Sequence, residues 1–318
     1  MAPHRSDRVN RRRPGVPATP TDTDTDTDTD TDTEGDRVRS GTPTMPDWAR
    51  GMADLHVHSA PSLMPRHGDD RETVAAMRAL GFSTLVLKAH EGGTAARAAA
   101  AGPGTYGGVV LNSCVGGANP DAVRVAAALG GRMVWLPTLS SRAHRAAAAA
   151  PELAVHRHVE LRPVDVTEDG RLRAQWYEVL DAVAAHDLVL ASGHLSTADT
   201  LVVFAEARRR GVRRLLVNHP KLAFLRWREE TADAFRALGA HCELGVVPDL
   251  LGPPEDSSLG LTRCYPLPLL VFGGDLGHRG FPAPAKAVAP WLRELERRIG
   301  ARAAATLMTT TTRDLLLP

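Results

Sequence analysis

At 318 residues, with 43% hydrophobic and 24% charged positions and a formal net charge of +1, the chain can bury a large core. It has no charge excess of the kind that draws a protein to nucleic acid or an acidic surface. Aromatic residues are only 4% of the sequence, too sparse for a base-stacking face, and no apolar run approaches the ~18 residues of a membrane-spanning helix. Cys114, Cys242 and Cys264 are odd in number and widely spaced, which excludes a disulfide framework or thiolate zinc cluster and points to a reducing, cytoplasmic setting.

Residues 1–46 read as a disordered polar tail. They are basic at first, then alternate threonine with aspartate from Thr21 to Thr33, with nothing to bury against their ordering entropy. Met45 stands directly before the apolar-patterned region, so the tail is expected to be an upstream extension of a chain that starts there. Residues 47–318 read as one domain of alternating strands and helices. A strand at Asp54 to His58 is followed by a helix from Asp69 to Leu80, closed by Gly81, and a strand from Phe82 to Leu87. Thr94 to Ala101 is an alanine-rich helix before the strand Val109 to Leu111. Asn119-Pro120 opens the next helix, a capping side chain with proline at the first helical position, and Gly130-Gly131 stops it. The fourth strand, Met133 to Leu136, runs into an insertion of about residues 140–170 with a turn at Asp169-Gly170. Helices at Arg173 to His186, Ser196 to Arg210 and Thr231 to Leu238 then alternate with apolar runs at Leu188 to Ala191, Leu215 to Val217, Ala240 to Leu244 and Leu269 to Phe272. Eight strands in this pattern predict an α/β fold, a (β/α)8 TIM-like barrel, with a doubly wound open sheet as the rival.

The ends of these strands carry the chemistry. In Asp54-Leu55-His56-Val57-His58 the period of a strand puts Asp54, His56 and His58 on one face and Leu55 and Val57 on the other. Two imidazoles converging from one rigid strand are half a metal site. Three further apolar runs end in His194, His219 and Asp275. One histidine after one strand is more often a satisfied polar residue than a ligand, but four strand ends with metal-competent side chains are hard to explain that way. A closed barrel gathers all of them at one mouth, which an open sheet does not.

This pattern resembles the amidohydrolase superfamily of metal-dependent barrels, whose HxH at strand one, His at strands five and six and Asp at strand eight are matched by His56, His58, His194, His219 and Asp275. The stretches Asp54 to Pro61, Val86 to His90 and Gly108 to Asn112 resemble, more narrowly, an uncharacterised amidohydrolase-like group of bacterial proteins. The fourth strand ends Trp135-Leu136-Pro137-Thr138, without the lysine or glutamate that bridges two metals in binuclear members. The resemblance therefore implies one divalent ion, zinc first with manganese or iron as alternatives, held by His56, His58, His194 and Asp275. A second ion is expected only if Lys88 is carboxylated.

The implied activity is that of a metal-dependent hydrolase, with metal-activated water attacking an amide, cyclic amide or lactone carbonyl of a small molecule. Asp275 would move the proton and His219 polarise the carbonyl or complete the metal shell, while Lys88, His90 and Asn112 would bind substrate. Two alternatives stand beside it: a decarboxylase on the same fold, and a polymerase-and-histidinol-phosphatase-type phosphoesterase, which also opens with HxH. Self-association into a homo-oligomer is compatible with the resemblance.

Overall fold

Local signals in the sequence set the ends of the helices. Asp69 Oδ1 accepts the Glu72 N–H while Glu72 Oε2 accepts the Asp69 N–H, both at 2.9 Å, a capping box that starts helix α1 at Asp70–Ala79. Asn119 caps α3 (Pro120–Ala128) and Ser196 caps α5 (Thr197–Arg209), with α2 at Ala95–Ala101 and α4 at Tyr177–Ala185 between β-strands. Helices α6 (Glu230–Ala237) and α7 (Pro284–Ile299) complete the set. The computed structural model describes residues 44–156, 159–252 and 257–317; the tail read from the sequence falls, through residue 43, outside them.

Eight barrel strands follow the apolar runs: β1 (Met52–His58), β2 (Phe82–Lys88), β3 (Gly108–Val110), β4 (Met133–Trp135), β5 (Val189–Ala191), β6 (Arg214–Val217), β7 (His241–Leu244) and β8 (Leu270–Phe272). Neighbouring strands are parallel, and β3 to β8 form one sheet in chain order. β1 and β2 pair with each other and with Thr105–Tyr106, the short strand that leads into β3. The ring closes just past β8, where His56 O accepts the Asp275 N–H and His58 N–H donates to Leu276 O, both at 2.9 Å. The result is a (β/α)8 barrel whose strand C-termini share one mouth.

Side chains alternate between two cores. Val86, Val110, Trp135, Leu216 and Val271 fill the barrel interior, while Leu87, Val134, Leu190, Leu215 and Phe272 pack outward against the helices. Leu315 and Leu316, past α7, join the interior set and form the floor of the barrel. Each such buried aliphatic side chain contributes about 1.5–3 kcal/mol.

Two details depart from the sequence reading. Leu55 and Val57 do not share a face: Leu55 joins the interior cluster and Val57 the outer one. The register between β1 and β2 shifts between Asp54 and Val57, and such an irregularity re-aims side chains. Residues 44–46 are not part of a free tail, because Met45 packs on the core and Arg293 Nη2 bonds the Thr44 hydroxyl at 2.9 Å. The insertion after β4 is built rather than open: it holds a short helix at Arg142–Ala146, a 3₁₀ helix at Pro151–His156 and a hairpin pairing Thr167–Glu168 with Arg171–Leu172. Asp169 and Gly170 turn that hairpin at φ 48° and 70°, as a two-residue loop requires.

Candidate metal centre

The mouth of the barrel is assembled from strand ends. β1 supplies His56 and His58, β2 ends in Lys88, and β7 carries Glu243. His194, His219 and Asp275 follow β5, β6 and β8. His219 and Asp275 both have positive φ, 27° and 56°, a left-handed backbone that costs a non-glycine residue about 1 kcal/mol or more and persists where the surroundings enforce it. Beyond Asp275 the chain crosses β1 closely: at Gly277, φ 127°, a Cβ would lie 2.0 Å from His58 O. Only glycine lets that segment approach.

His56 and His58 are oriented from behind. His56 Nδ1 donates to Glu243 Oε1 at 2.9 Å, and Asn218 Nδ2 donates to the other Glu243 oxygen at 2.6 Å. His58 Nδ1 donates to Lys88 O at 3.0 Å. With Nδ1 protonated in each ring, both Nε2 atoms lie 3.1 Å from Asp275 Oδ1. A neutral His58 has no second proton, so its Nε2 lone pair faces a carboxylate oxygen; two acceptors in contact leave a place for a cation. Outer hydrogen bonds of this kind hold metal-ligating imidazoles in one tautomer. Donor atoms of His56, His219 and Asp275 lie within 4.8 Å of one another, close enough to share an ion.

The carboxylate draws positive charge to the same place. Burial disfavours a charge on His56, yet the Asp275 carboxylate beside it lifts its pKa to about 9. Burial also opposes ionisation of Asp275, but the His56 charge and hydrogen bond hold its carboxyl well below the usual range. His58 is driven far down by burial, then by the Arg66 cation. Burial brings the Lys88 ammonium down to about 8; its Nζ lies 3.0 Å from His56 Nε2 and 5.7 Å from the Trp135 ring centroid. Deeper in the barrel, Asp54 Oδ1 accepts the N–H groups of His56 and Gly274, each at 2.9 Å, stapling β1 to the end of β8, and burial raises its carboxyl to about 7.

The other predicted residues separate into two groups. His219 stands in the compact donor set, while His194 is one ring further out, its centroid 5.1 Å from that of His219 and its Nδ1 engaged 2.8 Å from His144 Nδ1. His90 stacks 5.1 Å from His58 and bonds Thr138 Oγ1 at 2.9 Å. Asn112, expected to meet substrate, is committed to the protein: Nδ2 donates to His90 O and Thr138 Oγ1, and Oδ1 accepts from Thr138 and Ser140 N–H. It braces the loops of β2 and β4.

Three site residues, His144, His156 and Arg66, escape the sequence pattern. His144 and His156 come from the insertion and continue the run of imidazoles, with His156 centred 5.0 Å from His90 and 5.3 Å from His144. Ser141 docks this segment, donating to His194 O at 2.7 Å and capping the short helix at His144 N. Arg66, in the loop after β1, and His278, after Asp275, line the same cavity as His58, His219 and Asp275. His144 and His156 lie in short helical turns of the insertion and Arg66 in a loop, where no hydrophobic period marks them.

A family model described as a family of unknown function, DUF6282, matches residues 51–243. No protein with a curated description matches the chain. Among solved structures, a protein described as a 2-pyrone-4,6-dicarboxylic acid hydrolase from Pseudomonas putida is 19% identical, with 84% of this chain and 97% of that one covered at a TM-score of 0.54. The 2,6-dihydroxybenzoate decarboxylase from Rhizobium is 12% identical over 84% and 98%, at 0.55. An amidohydrolase from Pseudomonas aeruginosa is 13% identical over 85% and 96%, also at 0.55. These neighbours are amidohydrolase-superfamily barrels, and at such identities they establish a common fold.

Proposed function

The chain belongs to the family of unknown function DUF6282 and folds as an amidohydrolase-type barrel, and from that premise we propose that it is a metal-dependent hydrolase of a small-molecule amide, cyclic amide or lactone. The observation that carries the reading is the contact of unprotonated His58 Nε2 with Asp275 Oδ1 at 3.1 Å, beside His56 Nε2 at the same distance. His56, His58 and Asp275 would hold one divalent ion, zinc in first place, with His219 nearer to it than His194. Such an ion lowers the pKa of a bound water toward ~7 and polarises a carbonyl. Asp275, kept ionised, is suited to take a proton at its carboxylate and return it to a leaving group. Lys88 and His219 border the place where a carbonyl oxygen gathers charge. His156 and Leu153 of the insertion form part of the cavity wall.

Decarboxylation at the same ion is the second reading, favoured by an Arg66 cation that has no carboxylate partner within 4.0 Å among the described residues. The phosphoesterase alternative asks for a carboxylate-rich site of several metals. Here Glu243 faces His56 Nδ1 and Asn218, so Asp275 stands alone among the donors, and we set that reading aside.

The test is metal content by plasma mass spectrometry on chelator-free protein and on the His56→Ala and Lys88→Ala variants, followed by screens of lactones, cyclic amides and unsaturated acids. One ion per chain, lost in the first variant and kept in the second, is expected. Two ions falling to one in Lys88→Ala would replace the single-metal site with a bridged one, and metal-free protein in every preparation would end the proposal.

A further inference from the structure

Arg66 is buried, only 6% exposed, yet among the described residues it makes no ion pair of the kind such a cation ordinarily has. Its Nε donates to Ser62 Oγ at 3.2 Å, and the nearest acid, Glu91, is reached only through that hydroxyl, which donates to Glu91 Oε1 at 2.8 Å. Its Nη2 lies 3.4 Å from His58 Nδ1, a nitrogen already donating to Lys88 O, and 3.6 Å from the Met64 sulfur. Glu91 and Asp275 act on the guanidinium by charge alone, and among the described residues no carboxylate oxygen lies within 4.0 Å of it.

The position is nonetheless fixed. Arg66 O accepts from Arg279 Nε at 2.7 Å, Pro65 O accepts the Arg279 N–H at 3.0 Å, and His67 N–H donates to Gly277 O at 2.9 Å. The loop after β1 is thus bonded to the loop after β8, and the cation is held at the cavity wall before any ligand arrives. On another side the cavity is apolar, lined by Leu153, Leu222, Phe224, Val247, Leu251 and Phe281.

We propose that Arg66 is the anchor for a substrate carboxylate, so that the substrate is a carboxylic acid with an apolar body laid against Phe224 and Leu222. This rests on the metal-centre reading in one respect: a bound divalent ion would add its charge to Lys88 and Arg66 against Asp275, Glu243 and Glu91, and so favour an anion in the cavity. The fork geometry of arginine matches a carboxylate through two parallel hydrogen bonds, which a lysine cannot reproduce.

The test is isothermal titration of the zinc-loaded full chain with benzoate, phenylacetate and glutarate, and with benzamide as the uncharged counterpart, repeated on Arg66→Met, Arg66→Gln and Arg66→Lys. At least one carboxylate should bind the wild type about tenfold or more tighter than benzamide. That preference should vanish in Arg66→Met and return only in part in Arg66→Lys. Arg66→Gln decides by the same criterion if Arg66→Met does not melt cooperatively. Carboxylates that fail to bind the wild type, bind no tighter than benzamide, or keep their affinity in the variants overturn the proposal; the last result would place them on the metal instead. Metal content of each sample is measured in parallel. Absence of metal overturns the metal-centre reading, while loss of benzoate binding in Arg66→Met metal-free protein would still uphold the anchor.

Discussion

His144 and His194 meet through their Nδ1 atoms at 2.8 Å, so a residue of the insertion after β4 is bonded to the residue that ends β5. Burial pushes both imidazoles below their ordinary pKa, and one neutral ring donates its proton to the other. Ser141 Oγ reinforces the same junction at His194 O.

His144→Ala should therefore loosen the insertion and leave the metal in place. A buried nitrogen left without its partner costs about 1–3 kcal/mol. Hydrogen exchange should quicken across residues 140–164 while zinc content stays at the wild-type value. Exchange that is unchanged there would mean the pair does not fasten the segment.

Glu243→Gln should weaken metal binding without emptying the core. The substitution removes the charge that fixes the His56 Nδ1–H, and changes to such outer partners typically lower metal affinity about 10–100-fold. Competition with a fluorescent chelator reads the effect directly. An affinity equal to wild type would detach Glu243 from the centre.

Stability of the metal-free protein should fall steeply in acid. Burial lowers His144 and His241 to about 4 and His156 to about 3. Between pH 6.5 and those values the unfolded chain takes up protons that the folded chain refuses, so stability declines as pH falls, by up to about 3 kcal/mol each for His144 and His241 and about 5 for His156. His56 acts in the opposite window: raised to about 9, it contributes fully below pH 6.5 and loses that contribution as pH rises through 9. Thermal melts of chelator-treated protein from pH 4 to 9 should show this asymmetry. Adding zinc at pH 7.5 should raise the melting temperature, with about 4 kcal/mol gained when free zinc is a thousandfold above its Kd.

Leu316→Ala should destabilise the barrel from the end opposite the site. Leu316 is fully buried with Leu55, Val110 and Val271, and its carbonyl accepts from Arg214 Nη1 at 2.9 Å. Leucine truncations in such surroundings cost about 2–5 kcal/mol. Denaturant unfolding measures the loss, and a midpoint unchanged from wild type would deny Leu316 its place in the core.

The strands were legible in the sequence because buried parallel strands read as uninterrupted apolar runs, and the helix starts because Asp69, Asn119 and Ser196 are caps. His56, His58, His219 and Asp275 could be gathered from the same pattern, since they sit where strands stop and a barrel brings those ends together. Leu55 was misplaced because a register shift is a property of the β1 and β2 pair, invisible in β1 alone. Asn112 looked like a ligand contact because its type and position fit one; only the partners of its amide assign it to bracing. His144 and His156 lie in short helical turns of the insertion and Arg66 in a loop; the paths of these segments follow tertiary contacts, and no local signal places them.

The floor of the barrel has a further consequence for how the molecule comes into being. Leu315 and Leu316 leave the ribosome after every strand whose interior they cover. Until they emerge, Val110, Leu216 and Val271 face an open end. A nascent chain with all eight strands made is still an unsealed cylinder, and the site at the far end gains its rigid base only when Leu315 and Leu316 have followed the last strand.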